Sequence, residues 1–238
     1  MSQDPVANPE ATSPERTTQE ALSADVPRSS SWAFLGRFLR HPRTVGAVAP
    51  SSRYLARKIV HAVDWRPGVR VVEFGPGTGP FTDRIVRLLR PGATYHLVEL
   101  NEHFVEVLHE RFAQEPHWQQ AAEMSEIYQL PLQDFEPGGK YDFIISGLPH
   151  INFPTEVVEA ITAAYFKLLK PGGMLSYFEY MYVRPIRKMV TLGSDRQRIR
   201  EVNAVMEGHI GRHRVRRESI LINVPPAWVQ HLRLDATS

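Results

Sequence analysis

Apolar residues recur along this chain in two alternating rhythms. Short continuous runs at Val69–Phe74, Tyr95–Glu99, Tyr141–Ser146 and Met174–Tyr180 have the length and the branched or aromatic content of strands buried on both faces. Between them, Thr82–Leu89, Glu102–Phe112 and Thr155–Leu169 repeat apolar positions at three- and four-residue spacing, which predicts helices. Trp118–Ala122 is a weaker strand candidate. The alternation predicts an α/β fold with a parallel sheet and right-handed crossovers. A helix over Asp195–Glu207 follows. Arg214–Asn223 and Ala227–Leu234 then read as an antiparallel hairpin around Pro225-Pro226.

The ends of the chain have a different character. Residues 1–30 hold Pro5, Pro9, Pro14 and Pro27, five acids and almost no large apolar side chain, a composition that predicts a disordered tail. From Val26 to Val63 there are seven Lys/Arg and no acid. Trp32, Leu35 and Leu39 share one helical face, widened by Phe34 and Phe38, with Arg37, Arg40 and His41 off it. Such a helix suits a membrane interface, and equally suits packing on the core. Pro42 ends it, and Pro50-Ser51-Ser52 opens a second helix through Val63. The expected division is a tail over 1–30, basic amphipathic helices over 31–65 and an α/β domain over 66–238.

Charge sharpens this picture. The net charge is +2, but ten Lys/Arg against three acids lie between Arg184 and Arg217, so two basic flanks enclose an acidic centre. With no cysteine, disulfides and thiolate metal sites are excluded and an intracellular home is favoured. No apolar stretch approaches the roughly 20 residues needed to cross a bilayer, and no secretory signal pattern opens the chain. Membrane contact is therefore expected to be peripheral.

The candidate chemistry starts at Val71-Val72-Glu73-Phe74-Gly75-Pro76-Gly77-Thr78-Gly79, where a strand ends in a glycine-dense turn and a helix follows. Such a turn cradles a phosphate or nucleoside. The dinucleotide fingerprint fails, because its third glycine would stand at Pro80. E-x-G-x-G-x-G stands instead and resembles motif I of the class I S-adenosylmethionine (SAM) methyltransferases. Glu99, twenty residues past Gly79, ends the next strand where an acid can hold both ribose hydroxyls. The resemblance implies a Rossmann-like, mostly parallel seven-stranded sheet with an N-terminal helical extension. It also implies SAM as cofactor, held by Glu73, Gly75, Gly77, Gly79 and Glu99. Leu169-Lys170-Pro171-Gly172-Gly173-Met174-Leu175 resembles the turn before that family's fifth strand. Glu123 falls near the family's adenine-facing position, and a solvated loop charge explains it as well.

The loop Ser146-Gly147-Leu148-Pro149-His150-Ile151-Asn152-Phe153-Pro154 would lie over the methyl donor, with Ser146 on the cofactor side. It resembles the S-G-L-P-x-x-N-F-P signature of the bacterial phospholipid N-methyltransferases. Arg43–Ser52, Glu73–Gly79 and Asn223–Ala227 extend that resemblance over nearly everything after residue 31. It implies methylation of a membrane aminolipid, phosphatidylethanolamine or ornithine lipid, by a cytoplasmic enzyme peripheral on the inner face of the cytoplasmic membrane. It also tips Trp32–Arg43 toward an anionic membrane surface. Tyr180 matches a family tyrosine that can accept an amine hydrogen bond and offer a π-face to a methylammonium. His150 is the alternative base, and Asn152 and Phe153 are expected to shape the head-group entrance. Neither a metal nor a nucleic acid is expected. Two other readings remain at this stage, an rRNA adenine N6-methyltransferase and a non-catalytic SAM-binding surface module. Against the first, His150 follows Leu148-Pro149 where a stacking aromatic would stand, and Ser146 replaces its asparagine.

Overall fold

The structure, a computed structural model, describes residues 52–181, 194–223 and 226–236. The expected tail, the helix at Trp32–His41 and residues 182–193 of the second basic flank lie outside the described residues.

Seven strands form one sheet in the order β3-β2-β1-β4-β5-β7-β6. They are β1 (Arg70–Phe74), β2 (Thr94–Glu99), β3 (Ser125–Gln129), β4 (Tyr141–Ser146), β5 (Leu169–Tyr180), β6 (Arg214–Ile220) and β7 (Ala227–Arg233). The first five pair in parallel, and β7 runs antiparallel between β5 and β6. The helices are α1 (Ser52–Ile59), α2 (Thr82–Val86), α3 (Glu102–Gln114), α4 (Pro116–Ala121), α5 (Thr155–Leu168) and α6 (Ser194–His213).

Each face of the sheet carries its own core. Val71, Tyr95, Leu97 and Ile145 point to one, against Ile59 of α1, Ile85 of α2, Leu108 of α3 and Trp118 of α4. Val72, Ile144, Leu175 and Leu232 point to the other, against Ile161 of α5 and Met206 of α6. This explains the strands without polar alternation, because the central strands are covered on both sides.

Three expectations need correction. Trp118–Ala122 is helical: Pro116 sits at the first turn of α4, where its missing N–H costs nothing. Trp118 is fully buried there, with the Arg111 guanidinium 4.1 Å from its ring centre. The strand is Ser125–Gln129, half-covered at the sheet edge and hence without an apolar run. Second, α1 does not belong to a separate helical unit ending at residue 65. Leu55, Ala56 and Ile59 are buried in the shared core, and Lys58 pairs with Glu218 of β6 at 2.6 Å. The domain therefore includes α1. Third, Lys170–Gly173 is a bulge inside β5, because Leu169 already pairs with Tyr141 before the register shifts.

Candidate active site

The carboxyl ends of β1, β2, β4 and β5 share one edge of the sheet, and the loops that follow them build the site. The β1 turn crosses at Gly75, Gly77 and Gly79, with φ of 66°, 58° and 82°, a left-handed backbone that suits glycine. Its fit to the β4 loop is close. The Gly147 N–H donates to the Phe74 carbonyl at 2.8 Å, and a Cβ on Gly147 would lie 2.5 Å from the Gly75 carbonyl oxygen. A Cβ on Gly75 would in turn strike Leu148 Cδ2 at 2.6 Å. A Cβ on Gly77 would meet nothing within 4 Å, so this middle glycine faces open space.

Glu99 ends β2, 4% exposed. Its Oε2 accepts from Gly77 N–H at 3.0 Å, and its Oε1 accepts from Leu100 N–H at 2.8 Å and Asn101 N–H at 2.9 Å. Burial raises its pKa, against the pull of those three donors. Glu99 lines a shallow groove whose walls include Leu100, Leu130, Leu132 and Leu148. Leucines beside a carboxylate suit a nucleoside: a flat base against the leucines, and ribose hydroxyls on the acid. Glu73 is fully buried on the other face of β1. Its Oε2 accepts from the hydroxyls of Thr82 (2.8 Å) and Tyr95, and its Oε1 has no partner. Burial lifts its carboxyl to about 7 despite both donors. An orphaned acceptor under the glycine turn fits a cationic amino-acid end of a ligand. These residues therefore suit SAM: Glu99 for the ribose, the leucine groove for the base, and the Gly75–Gly79 backbone with Glu73 for the remainder.

A second cavity, of about 170 Å³, opens at the same edge between the β4 loop, the end of β5 and α6. His150, Asn152, Tyr177 and Tyr180 line it, which brings the three expected residues His150, Asn152 and Tyr180 together, and α6 adds Val202, Asn203 and Met206. Burial raises the Tyr180 phenol, which keeps the hydroxyl neutral at physiological pH. Asn203 is 8% exposed and its Oδ1 has no partner. Glu179 also borders the cavity and accepts from Gln230 Nε2 at 2.7 Å.

His150 differs from an ordinary base. It is buried, its Nε2 lies 3.4 Å from the Tyr165 hydroxyl, and burial lowers its pKa to about 4. A neutral ring of that basicity is a poor acceptor for an ammonium proton, and the neutral Tyr180 phenol can accept a hydrogen bond from an amine without taking its proton. The same burial has a stability consequence. The unfolded ring takes up a proton near its ordinary 6.5, and the folded one only near 4. Stability is thus fully present above pH 6.5 and lost as pH falls towards 4. The full loss is on the order of 3 kcal/mol from this residue. Denaturant unfolding from pH 7 to 4.5 should fall less steeply in His150→Gln than in the wild type.

The structure moves three residues out of their expected places. Glu123 is exposed and precedes β3, at the amino edge of the sheet, so it cannot face a base bound at the carboxyl edge. Leu130 and Leu132, beyond the carboxyl end of β3, line the groove beside Glu99 instead. Ser146 lies at the site, yet its hydroxyl is turned inward, 2.7 Å from that of Tyr165, and accepts from Leu148 N–H at 3.3 Å. It shapes the loop and does not present its side chain to a cofactor. Phe153 is fully buried in the core beside α5 and forms no part of an entrance. The α6 residues were missed, because an asparagine between Val202 and Met206 on a helix far along the chain carries no spacing signal.

The methyltransferase domain family matches residues 72–175. An ornithine lipid N-methyltransferase of Singulisphaera acidiphila is 31% identical over 149 residues, 62% of this chain and 77% of that protein. A ribosomal RNA small subunit methyltransferase A of Parasynechococcus marenigrum is 37% identical over 93 residues, 39% of this chain and 29% of that protein. Among solved structures, magnesium protoporphyrin IX methyltransferase of Synechocystis PCC 6803, with bound SAH, superposes with a TM-score of 0.60. That match covers 87% of this chain and all of that one at 15% identity, so the fold is what the two share. Fold, glycine turn and a leucine groove beside a carboxylate define a class I SAM-dependent methyltransferase, with SAM as the methyl donor. Within that class, the chain belongs to the bacterial phospholipid N-methyltransferase family.

Proposed function

We propose that this methyltransferase acts on the head-group amine of a membrane aminolipid, phosphatidylethanolamine or ornithine lipid, at the inner surface of the cytoplasmic membrane. The observation that carries the reading is the lining of the larger cavity. Among the described residues its lining is mostly apolar and aromatic, its polar groups are acceptors or neutral, and none is a lysine or arginine. A site for RNA would need cations for the phosphates. A site for an amine needs what is present: the Glu179 carboxylate, the Asn203 carbonyl and the Tyr180 hydroxyl.

SAM, when bound, supplies a methyl group already activated on a sulfonium. The chain's own residues must hold the amine in line, exclude water and favour the unprotonated amine. Tyr180 and Asn203 can each accept an N–H, which leaves the nitrogen lone pair free to face the donor. Asn152, from the β4 loop, borders the same space. Trp32–Arg43 is proposed to help hold the enzyme at an anionic surface through its aromatic and basic side chains.

Labelled-methyl transfer from SAM to phosphatidylethanolamine, ornithine lipid and 16S rRNA, run in parallel, tests the reading. Transfer to an aminolipid supports it, and transfer to rRNA alone replaces it with the nucleic-acid reading. Asn203→Ala and Asn152→Ala should each lower turnover about tenfold or more, the range of one lost hydrogen bond to a charged group. SAM affinity by calorimetry should hold. Unfolding of both variants would make these positions structural and misplace the acceptor site.

A further inference from the structure

Large apolar side chains are covered almost everywhere among the described residues, and three exceptions stand out: Val215 at 54%, Leu221 at 71% and Ile222 at 61% exposed. Leu221 and Ile222 are neighbours in the turn between β6 and β7. The strand register fixes where that turn lies. Ala227 pairs with Ile220 of β6 and with Tyr180 of β5, and Met181 N–H donates to the Pro226 carbonyl at 2.8 Å. The turn therefore projects from the carboxyl edge of the sheet, beside Tyr180 and the acceptor cavity. Val215 is at the far end of the same hairpin, next to Arg214, which pairs with Leu232.

The flank of the turn is graded in polarity. Behind the apolar tip stands Trp228, half-buried and paired with Glu179 of the cavity, and the Arg217 guanidinium lies 5.1 Å from its ring centre. Apolar tip, indole and then arginine is the order in which a bilayer passes from acyl chain to interface to anionic head group. We propose that Leu221 and Ile222 form a wedge that inserts into an anionic bilayer, with Trp228 and Arg217 at head-group level. This turns the mouth of the acceptor cavity onto the membrane.

The inference rests on the aminolipid reading for its purpose, since a head group tethered to acyl chains can enter only from an edge that faces the bilayer. A second copy of the chain suits this surface less well. β6 is the outermost strand and carries Arg214, Arg216 and Arg217, so edge pairing between copies would bring like charges together. A rival membrane face exists at the opposite edge, where Arg212, Arg214 and Arg233 surround Val215. It would hold the active site away from the bilayer.

The chain lacks cysteine, so Ile222→Cys and Val215→Cys each give one attachment point for a polarity-sensitive fluorophore on the full chain. With vesicles of equimolar phosphatidylethanolamine and phosphatidylglycerol, the label at 222 should shift to the blue and the label at 215 should not. The doubly substituted Leu221→Ser/Ile222→Ser protein should bind these vesicles about tenfold more weakly, given the apolar area withdrawn. It should keep wild-type SAM affinity, which shows that it is folded. A shift at 215 instead of 222, or at neither, overturns the proposal. So does a shift at 222 that grows with protein concentration in the absence of vesicles, which marks a second copy as the occupant. A shift at 222 in an enzyme that methylates no aminolipid would remove the substrate reading and leave the docking surface standing.

Discussion

Gly147→Ala should abolish methyl transfer and destabilise the fold together. The added Cβ would sit 2.5 Å from the Gly75 carbonyl oxygen and 3.6 Å from that of Phe74. The Phe74 distance is ordinary contact, but the Gly75 oxygen is backbone, so no rotamer change relieves that clash. The β4 loop has to move away from the glycine turn and give up the 2.8 Å hydrogen bond from Gly147 to Phe74. Overpacking of this kind costs about 1–3 kcal/mol, to which a lost buried hydrogen bond adds about 1 kcal/mol. The effect on catalysis should be larger, since the two loops carry donor and acceptor and an ångström of misalignment costs about a hundredfold. Turnover and denaturant midpoint, measured together, check this. Wild-type turnover in Gly147→Ala would mean that the loops are not in contact during catalysis.

Glu99→Ala is the second large effect. SAM affinity should fall about a hundredfold, close to 3 kcal/mol, the scale of charge-assisted hydrogen bonds to two hydroxyls. The structure adds a cost that the sequence does not reveal. Glu99 also organises its own surroundings, holding the N–H groups of Gly77, Leu100 and Asn101, which the variant would orphan. The unfolding midpoint should therefore fall as well, and Glu99→Gln should recover part of the midpoint while remaining weak for SAM. Calorimetry showing unchanged SAM binding in Glu99→Ala would defeat the assignment.

What could be read from the sequence followed burial. β1, β2, β4 and β5 are covered on both faces, so they appear as short, mostly apolar runs, and the turn glycines mark the site because positive φ leaves few substitutes. β3 escaped because it lies at the sheet edge with only partial cover, and locating it at Trp118–Ala122 displaced Glu123 with it. Phe153 looked like a gate because it adjoins Asn152. Which way a loop aromatic points depends on α5, and no local pattern records that. Asn203 reaches the cavity through the packing of α6 on α5 and β7, a tertiary fact without a motif.

The position of β7 sets an order of events during synthesis. It follows β6 in the chain but lies between β5 and β6 in the sheet. A nascent chain that has released everything through β6 still presents the open backbone edge of β5 along Met174–Tyr180, with no native partner yet made. Unpaired edges of this length recruit other strands. Tyr180 stands on that edge, so the cavity wall that carries it is incomplete until β7 slides in. Chains truncated after Ile220 and freed from the ribosome should therefore be both inactive and prone to chaperone capture, whereas full-length chains should not.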